Sequence, residues 1–232
     1  MCRGWHSFLN LVSTFLMSMI KDNLNNLYKA LPSGVKLVAV SKFHPVERLM
    51  EAYEAGQRIF GENRPQELAA KVPQLPADVE WHFIGHLQTN KLKLVLPYVS
   101  LVQSVDSMHL LQAINKWAIE NGRVVNVLLE LHLGAEETKH GFTEEEIIQV
   151  LSSGEGVGIR VIGLMGMATN TDDMSVVEKD FERIEGLFKR LQAQYPQLTE
   201  LSIGMSGDWP IAVKHGATMV RIGTDIFGPR EY

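Results

Sequence analysis

From Lys36 onward, short runs of apolar and β-branched residues alternate with longer stretches whose apolar positions recur at helical spacing. The short runs predict eight strands, at 37–42 (LVAVSK), 58–63 (RIFGEN), 80–85 (EWHFIG), 101–106 (LVQSVD), 124–133 (VVNVLLELHL), 161–169 (VIGLMGMAT), 200–206 (ELSIGMS) and 219–228 (MVRIGTDIFG). Helices are predicted between them at 46–55, 65–71, 89–96, 108–120, 143–151, 175–194 and 209–215. In the stretch 175–194, Val177, Phe181, Ile184, Phe188 and Leu191 step by 4, 3, 4 and 3, one apolar stripe laid against a sheet. Pro45 and Pro65 suit first-turn positions, and Thr143 with Glu146 forms a capping box, so helix starts fall just after strand ends. Such βα alternation defines an α/β protein, and eight parallel strands close most economically as a single (β/α)8 TIM barrel. An open doubly wound sheet would share much of this pattern, but no GxGxxG fingerprint follows the first strand.

Composition narrows the field. A chain of 232 residues with 45% hydrophobic and 21% charged residues fits one folded domain, here 24–232, preceded by an N-terminal extension or helix at 1–23. The run Phe8 to Ile20 resembles a signal peptide only superficially, because Asn10, Ser13, Thr14 and Ser18 interrupt it; Met17 or Met19 could be the authentic start. A net charge of −5 gives no overall basic field for nucleic acid or anionic lipid, so any anion site must be local. One cysteine, Cys2, makes neither an internal disulfide nor a multi-cysteine metal site, and the expected setting is a reducing, cytoplasmic one.

In a parallel barrel the chemistry lies at the C-terminal ends of the strands. There the sequence offers Lys42, Asn63, His86, Ser104, Asp106, His132, Thr169, Ser206, Gly223 and Thr224. Lys42 follows the apolar run LVAV, so its stem leaves a buried strand; a desolvated amine turns neutral and condenses with aldehydes. A lysine at a strand end can equally snorkel to water, and position alone leaves both readings open. GMSGD (204–208) offers backbone N–H groups and the Ser206 hydroxyl to a phosphate, and RIGTD (221–225) adds Gly223 and the Thr224 hydroxyl. Each could be an ordinary turn residue, but a phosphate site after strands 7 and 8 is a recurring barrel arrangement. Arg221 lies two residues before Gly223 and so faces the barrel interior, where its cation would keep a neighbouring pyridine nitrogen unprotonated; pairing with Glu62 is the competing role. The histidines show no shared metal spacing, so no metal site is expected; His82 is favoured slightly as a pocket residue because it lies within a strand.

Together VAVSK (38–42), FGENRPQE (60–67), WHFIGHLQTNK (81–91), KHGF (139–142), GLMGMA (163–168), LSIGMSGD (201–208) and VRIGTDIFGPR (220–230) resemble the YggS/PROSC family of pyridoxal phosphate (PLP) homeostasis proteins over Leu24 to Tyr232. The resemblance implies a barrel like the N-terminal domain of alanine racemase, monomeric or weakly dimeric, holding PLP as an internal aldimine on Lys42. It further implies phosphate contacts from Ser206, Gly223 and Thr224, an Arg221 contact to the pyridine nitrogen, and a pocket lined by Asn63 and Met205. Two positions depart from the family: His132 stands where asparagine is usual, and Gly166 where threonine is common, which suggests local freedom there.

Three functions compete: a non-catalytic PLP carrier that could pass cofactor to apo-enzymes, a PLP-dependent amino-acid enzyme such as a racemase, and a Schiff-base aldolase without cofactor. Racemization needs a second base facing the lysine, and the chain ends at Tyr232 directly after the last strand, without the second domain that supplies it in the racemases. An aldolase lysine is normally flanked by carboxylates, and the first strand offers none. The resemblance favours the carrier, with no catalytic residue assigned.

Overall fold

The computed structural model describes residues 19–134, 140–154 and 156–229. Residues 1–18, 135–139, 155 and 230–232 lie outside them. Eight parallel strands, β1 (Lys36–Val40), β2 (Ile59–Glu62), β3 (Glu80–Phe83), β4 (Leu101–Val105), β5 (Val125–Leu131), β6 (Ile159–Gly166), β7 (Glu200–Ser202) and β8 (Met219–Ile222), pair in chain order into a closed barrel. Closure is direct, with Lys36 opposite Met219 and Ala39 opposite Ile222.

Two apolar layers hold the barrel. Val38, Leu101, Leu128, Met165 and Met219 fill its interior. The larger layer lies between the strands and an outer ring of helices: α1 (19–30), α2 (Val46–Glu54), α3 (Pro65–Lys71), α4 (Leu92–Val95), α5 (Met108–Glu120), α6 (Glu144–Ser153), α7 (Met174–Gln192), α8 (Trp209–Lys214) and α9 (Thr224–Phe227). With both faces buried, the strands read as continuous apolar runs rather than as an alternation. Helix α7 buries the whole stripe expected of it, and each of those side chains, removed from water, stabilises the fold by about 1.5–3 kcal/mol. The Thr143–Glu146 capping box forms in both directions, and Pro65 opens α3. Pro45 sits one residue before α2, as its cap, rather than in its first turn. Ile20 and Leu24 of α1 are fully buried against the barrel.

The strands end sooner than the sequence pattern suggests. β1 stops at Val40 and leaves Lys42 in a turn two residues beyond. β7 stops at Ser202, because Gly204 adopts φ +92°, a left-handed turn that carries the chain into α8. β8 stops at Ile222; the residues expected to continue it form the one-turn helix α9. At the barrel mouth the ladder partners run out, so an apolar run there turns instead of extending.

Candidate functional site

Lys42 is set by contacts behind it. Ser41 continues the ladder by one bond, its N–H donating to the Gly61 carbonyl at 3.0 Å. The Ser41 hydroxyl donates to Glu62 Oε1 at 2.7 Å, and Lys71 Nζ donates to the Ser41 carbonyl at 3.0 Å. Lys71 pairs with the fully buried Glu62 at 2.6 Å, so the carboxylate weighed as a partner for Arg221 belongs to Lys71 instead. Burial still pushes the Glu62 carboxyl above its usual range, against the pull of Lys71. On the other side of Lys42, Phe43 takes φ +67°, a left-handed conformation that is strained for a bulky residue. Its N–H donates to Glu67 at 3.0 Å, and the Arg64 guanidinium lies 4.3 Å from its ring centre.

Six of the seven residues expected to hold a cofactor, Lys42, Met205, Ser206, Arg221, Gly223 and Thr224, meet on one cavity of about 190 Å³ in the barrel mouth. Asn63 does not line it; its backbone packs against Gly85, and its Oδ1 is buried without a hydrogen-bond partner. His44 also lines the cavity and packs on the Phe227 ring at 4.7 Å.

Arg221 is almost wholly buried and is held by the Ser202 carbonyl at 2.8 Å, the Ser202 hydroxyl at 2.7 Å and the Gly166 carbonyl at 2.9 Å. Burial lowers its pKa to about 10, with Glu130 and Asp208 opposing, so the guanidinium stays charged at neutral pH. Behind it the Ser202 hydroxyl donates to Gln103 Oε1 at 2.7 Å, and Gln103 Nε2 meets His82 Nδ1 at 2.8 Å. His82 is therefore an interior residue at the end of this polar chain and lines neither principal cavity, because its ring points into the barrel below the mouth. Gly166 is closely packed as well, so a side chain there requires the ends of Leu133 and Ile184 to shift. A Cβ there would come within 2.7 Å of Leu133 Cδ1 and 2.8 Å of Ile184 Cδ1.

A second cavity, about 640 Å³, adjoins the first and shares Met205 and Gly207 with it. The two have opposite electrostatic character. Among the described residues, the smaller is lined by Lys42 and Arg221 and by no carboxylate, whereas the larger is lined by Asp106, Glu130, Asp172 and Asp208 and by no lysine or arginine. Burial raises the Glu130 pKa to about 7, against the pull of Arg221. His132, the departure noted in sequence, lines this larger cavity with His86 and His140.

The smaller cavity fits PLP. A lysine amine, a buried arginine, two hydroxyls and the first N–H groups of α9, which have no partner within that helix, suit an aldehyde on a ring carrying a phosphate. The Ser206 hydroxyl is hydrogen-bonded to Asp225, so a phosphate would compete for that proton.

Residues 17–231 match the alanine racemase N-terminal domain family. The chain is 36% identical over 234 residues to the pyridoxal phosphate homeostasis protein of Vibrio alginolyticus, an alignment covering 93% of this chain and 100% of that one. Its counterpart in Aquifex aeolicus is 40% identical over 200 residues, covering 85% and 88%. The chain belongs to the YggS/PROSC family. Among solved structures of that family, PipY of Synechococcus elongatus with PLP bound superposes with TM-score 0.82 at 38% identity, over 90% of this chain and 100% of PipY. The form without PLP gives TM-score 0.85. Outside the YggS/PROSC proteins, an alanine racemase of Clostridium difficile shares the fold alone, at 16% identity and TM-score 0.78, with 93% of this chain covering 58% of that one.

The sequence missed the Ser41–Glu62–Lys71 clamp and the His86–Asp106–His140 cluster. The only signal for the clamp was a glutamate at the end of β2 with a lysine on the following helix. For the cluster the sequence placed His86 and Asp106 at strand ends but gave no sign of His140, which joins them from the loop after β5.

Proposed function

We propose that this protein holds PLP covalently on Lys42 in the cytoplasm and serves the supply and buffering of that cofactor rather than the turnover of an amino acid. The observation that carries the reading is the meeting of Lys42, Arg221 and the phosphate-type donors on one cavity with no carboxylate among the described residues that line it. Family membership supports it, as does the PLP bound in PipY. When bound, PLP supplies an aldehyde that a neutral amine can attack and an electron-withdrawing ring.

Lys42 provides the amine, fixed by the clamp at Ser41. Ser206 and Thr224 donate hydroxyls to the phosphate, and Gly223 lets the backbone approach it. Met205 stands at the rim. Arg221, charged and immobile, disfavours a proton on a facing pyridine nitrogen. That weakens the electron withdrawal that PLP enzymes exploit, which suits storage better than turnover. Release then needs only an incoming amine, including the lysine of an apo-enzyme, to exchange with Lys42.

Wild-type protein incubated with PLP is expected to be yellow, and borohydride reduction followed by peptide mapping to mark Lys42. Lys42→Ala should lose both the visible band and the adduct. A colourless wild type, or a variant that keeps the adduct, overturns the proposal. Robust product formation from a panel of amino acids would favour an enzyme instead.

A further inference from the structure

We propose that His86, Asp106 and His140 form a binding site for a divalent transition-metal ion of the zinc type on the wall of the larger cavity. One ligand atom from each lies within 4.8 Å of the other two. His86 Nδ1 and Asp106 Oδ2 are 2.7 Å apart, and the two imidazoles stack with centres 4.3 Å apart and planes 19° apart. Zinc takes nitrogen and oxygen ligands at about 2.0–2.2 Å, so ligands of one tetrahedral ion lie roughly 3.3–3.5 Å from each other. No pair of donors thus needs to close by more than about 1.5 Å to share an ion, while the His86–Asp106 pair opens by about 0.7 Å.

The parts able to make that adjustment are the exposed ones. The His86 side chain is 49% accessible, whereas that of Asp106 is 5% accessible. Asp106 is fixed from behind, its Oδ1 accepting the Ser107 hydroxyl at 3.1 Å while Oδ2 faces His86. That division, one oxygen anchored and the other presented, is the outer-shell support that metal-binding carboxylates carry. Two imidazole nitrogens and one carboxylate oxygen suit zinc, cobalt, nickel or copper better than magnesium or calcium, which prefer oxygen alone.

The surroundings favour a cation. Glu130, Asp172 and Asp208 line the same cavity, without a lysine or arginine among the described residues that line it. Three protein ligands leave at least one coordination position facing that space, so the site is of the open, exchangeable kind rather than a closed structural one. The three donors come from the loops after β3, β4 and β5, on the cavity adjoining that of Lys42.

The test uses untagged, chelator-stripped protein without PLP, so its result does not depend on what Lys42 does. Zinc titrated calorimetrically, and in competition with a chromophoric chelator, is expected to bind one ion per chain. His86→Ala and His140→Ala should each weaken that site at least ~10-fold, with circular dichroism and melting used to verify their folds. Asp106→Asn provides a variant of unchanged shape and should weaken it too. Cobalt should give visible d–d bands that fade in the same variants, and millimolar magnesium should not compete. No stoichiometric zinc in the wild type, binding that the three substitutions leave unchanged, or displacement by magnesium would each overturn the proposal.

Discussion

The backbone on either side of Lys42 is held by residues that the cavity does not see: Glu62 and Lys71 through Ser41, Glu67 and Arg64 through Phe43. Burial works against the Glu67 carboxylate, but the Phe43 N–H and the Lys71 ammonium hold its pKa below the usual value. The proposed phosphate end differs, since Ser206, Gly223 and Thr224 line the cavity directly. Ser206→Ala should weaken retention of PLP by about 1–3 kcal/mol, the worth of a charge-assisted bond, because the hydroxyl must leave Asp225 to serve the phosphate. Equilibrium dialysis of the two proteins measures the difference, and equal affinities would remove Ser206 from the site. At this scale the sequence showed which strand-end residues meet on the smaller cavity, such as Lys42, Ser206 and Gly223. It hid those whose role follows from a neighbour distant in the chain, such as Lys71 beneath Ser41 or His140 against His86.

Among the elements, helix positions were readable because capping and periodicity are local: α5 spans Met108–Glu120, as its pattern predicts. Strand ends were not, because a strand stops where its partner stops, and the partner is elsewhere in the chain. The same distinction explains Gly166. Standing where the family commonly has threonine, it suggested local freedom, yet α7 and the loop after β5 bring Ile184 and Leu133 against it, and its carbonyl also holds Arg221. Restoring the threonine common in the family, Gly166→Thr, should cost about 1–3 kcal/mol through overpacking. A urea midpoint equal to that of the wild type would show that the neighbours yield freely.

For the molecule as a whole, the polar chain from Arg221 through Ser202 and Gln103 to His82 runs through an otherwise apolar barrel. Burial, with a smaller contribution from Lys36, lowers the His82 pKa from 6.5 to about 3, so the ring is neutral in the folded state. The unfolded chain takes up that proton first. This contribution to stability is therefore complete above pH 6.5 and is lost as the pH falls towards 3. His82→Gln keeps an acceptor for Gln103 and should flatten the acid limb of the stability profile by a few kcal/mol, roughly the linkage of a shift this large. Denaturant titrations at several pH values measure it, and parallel profiles would reject the assignment.

The described groups that aim the backbone at Lys42 stand behind the cavity wall and not within it. Its orientation is thus maintained by the scaffold whether or not a guest is present. A vessel whose handle is cast with its body keeps its shape when drained, and each refilling avoids the cost of ordering a collapsed mouth.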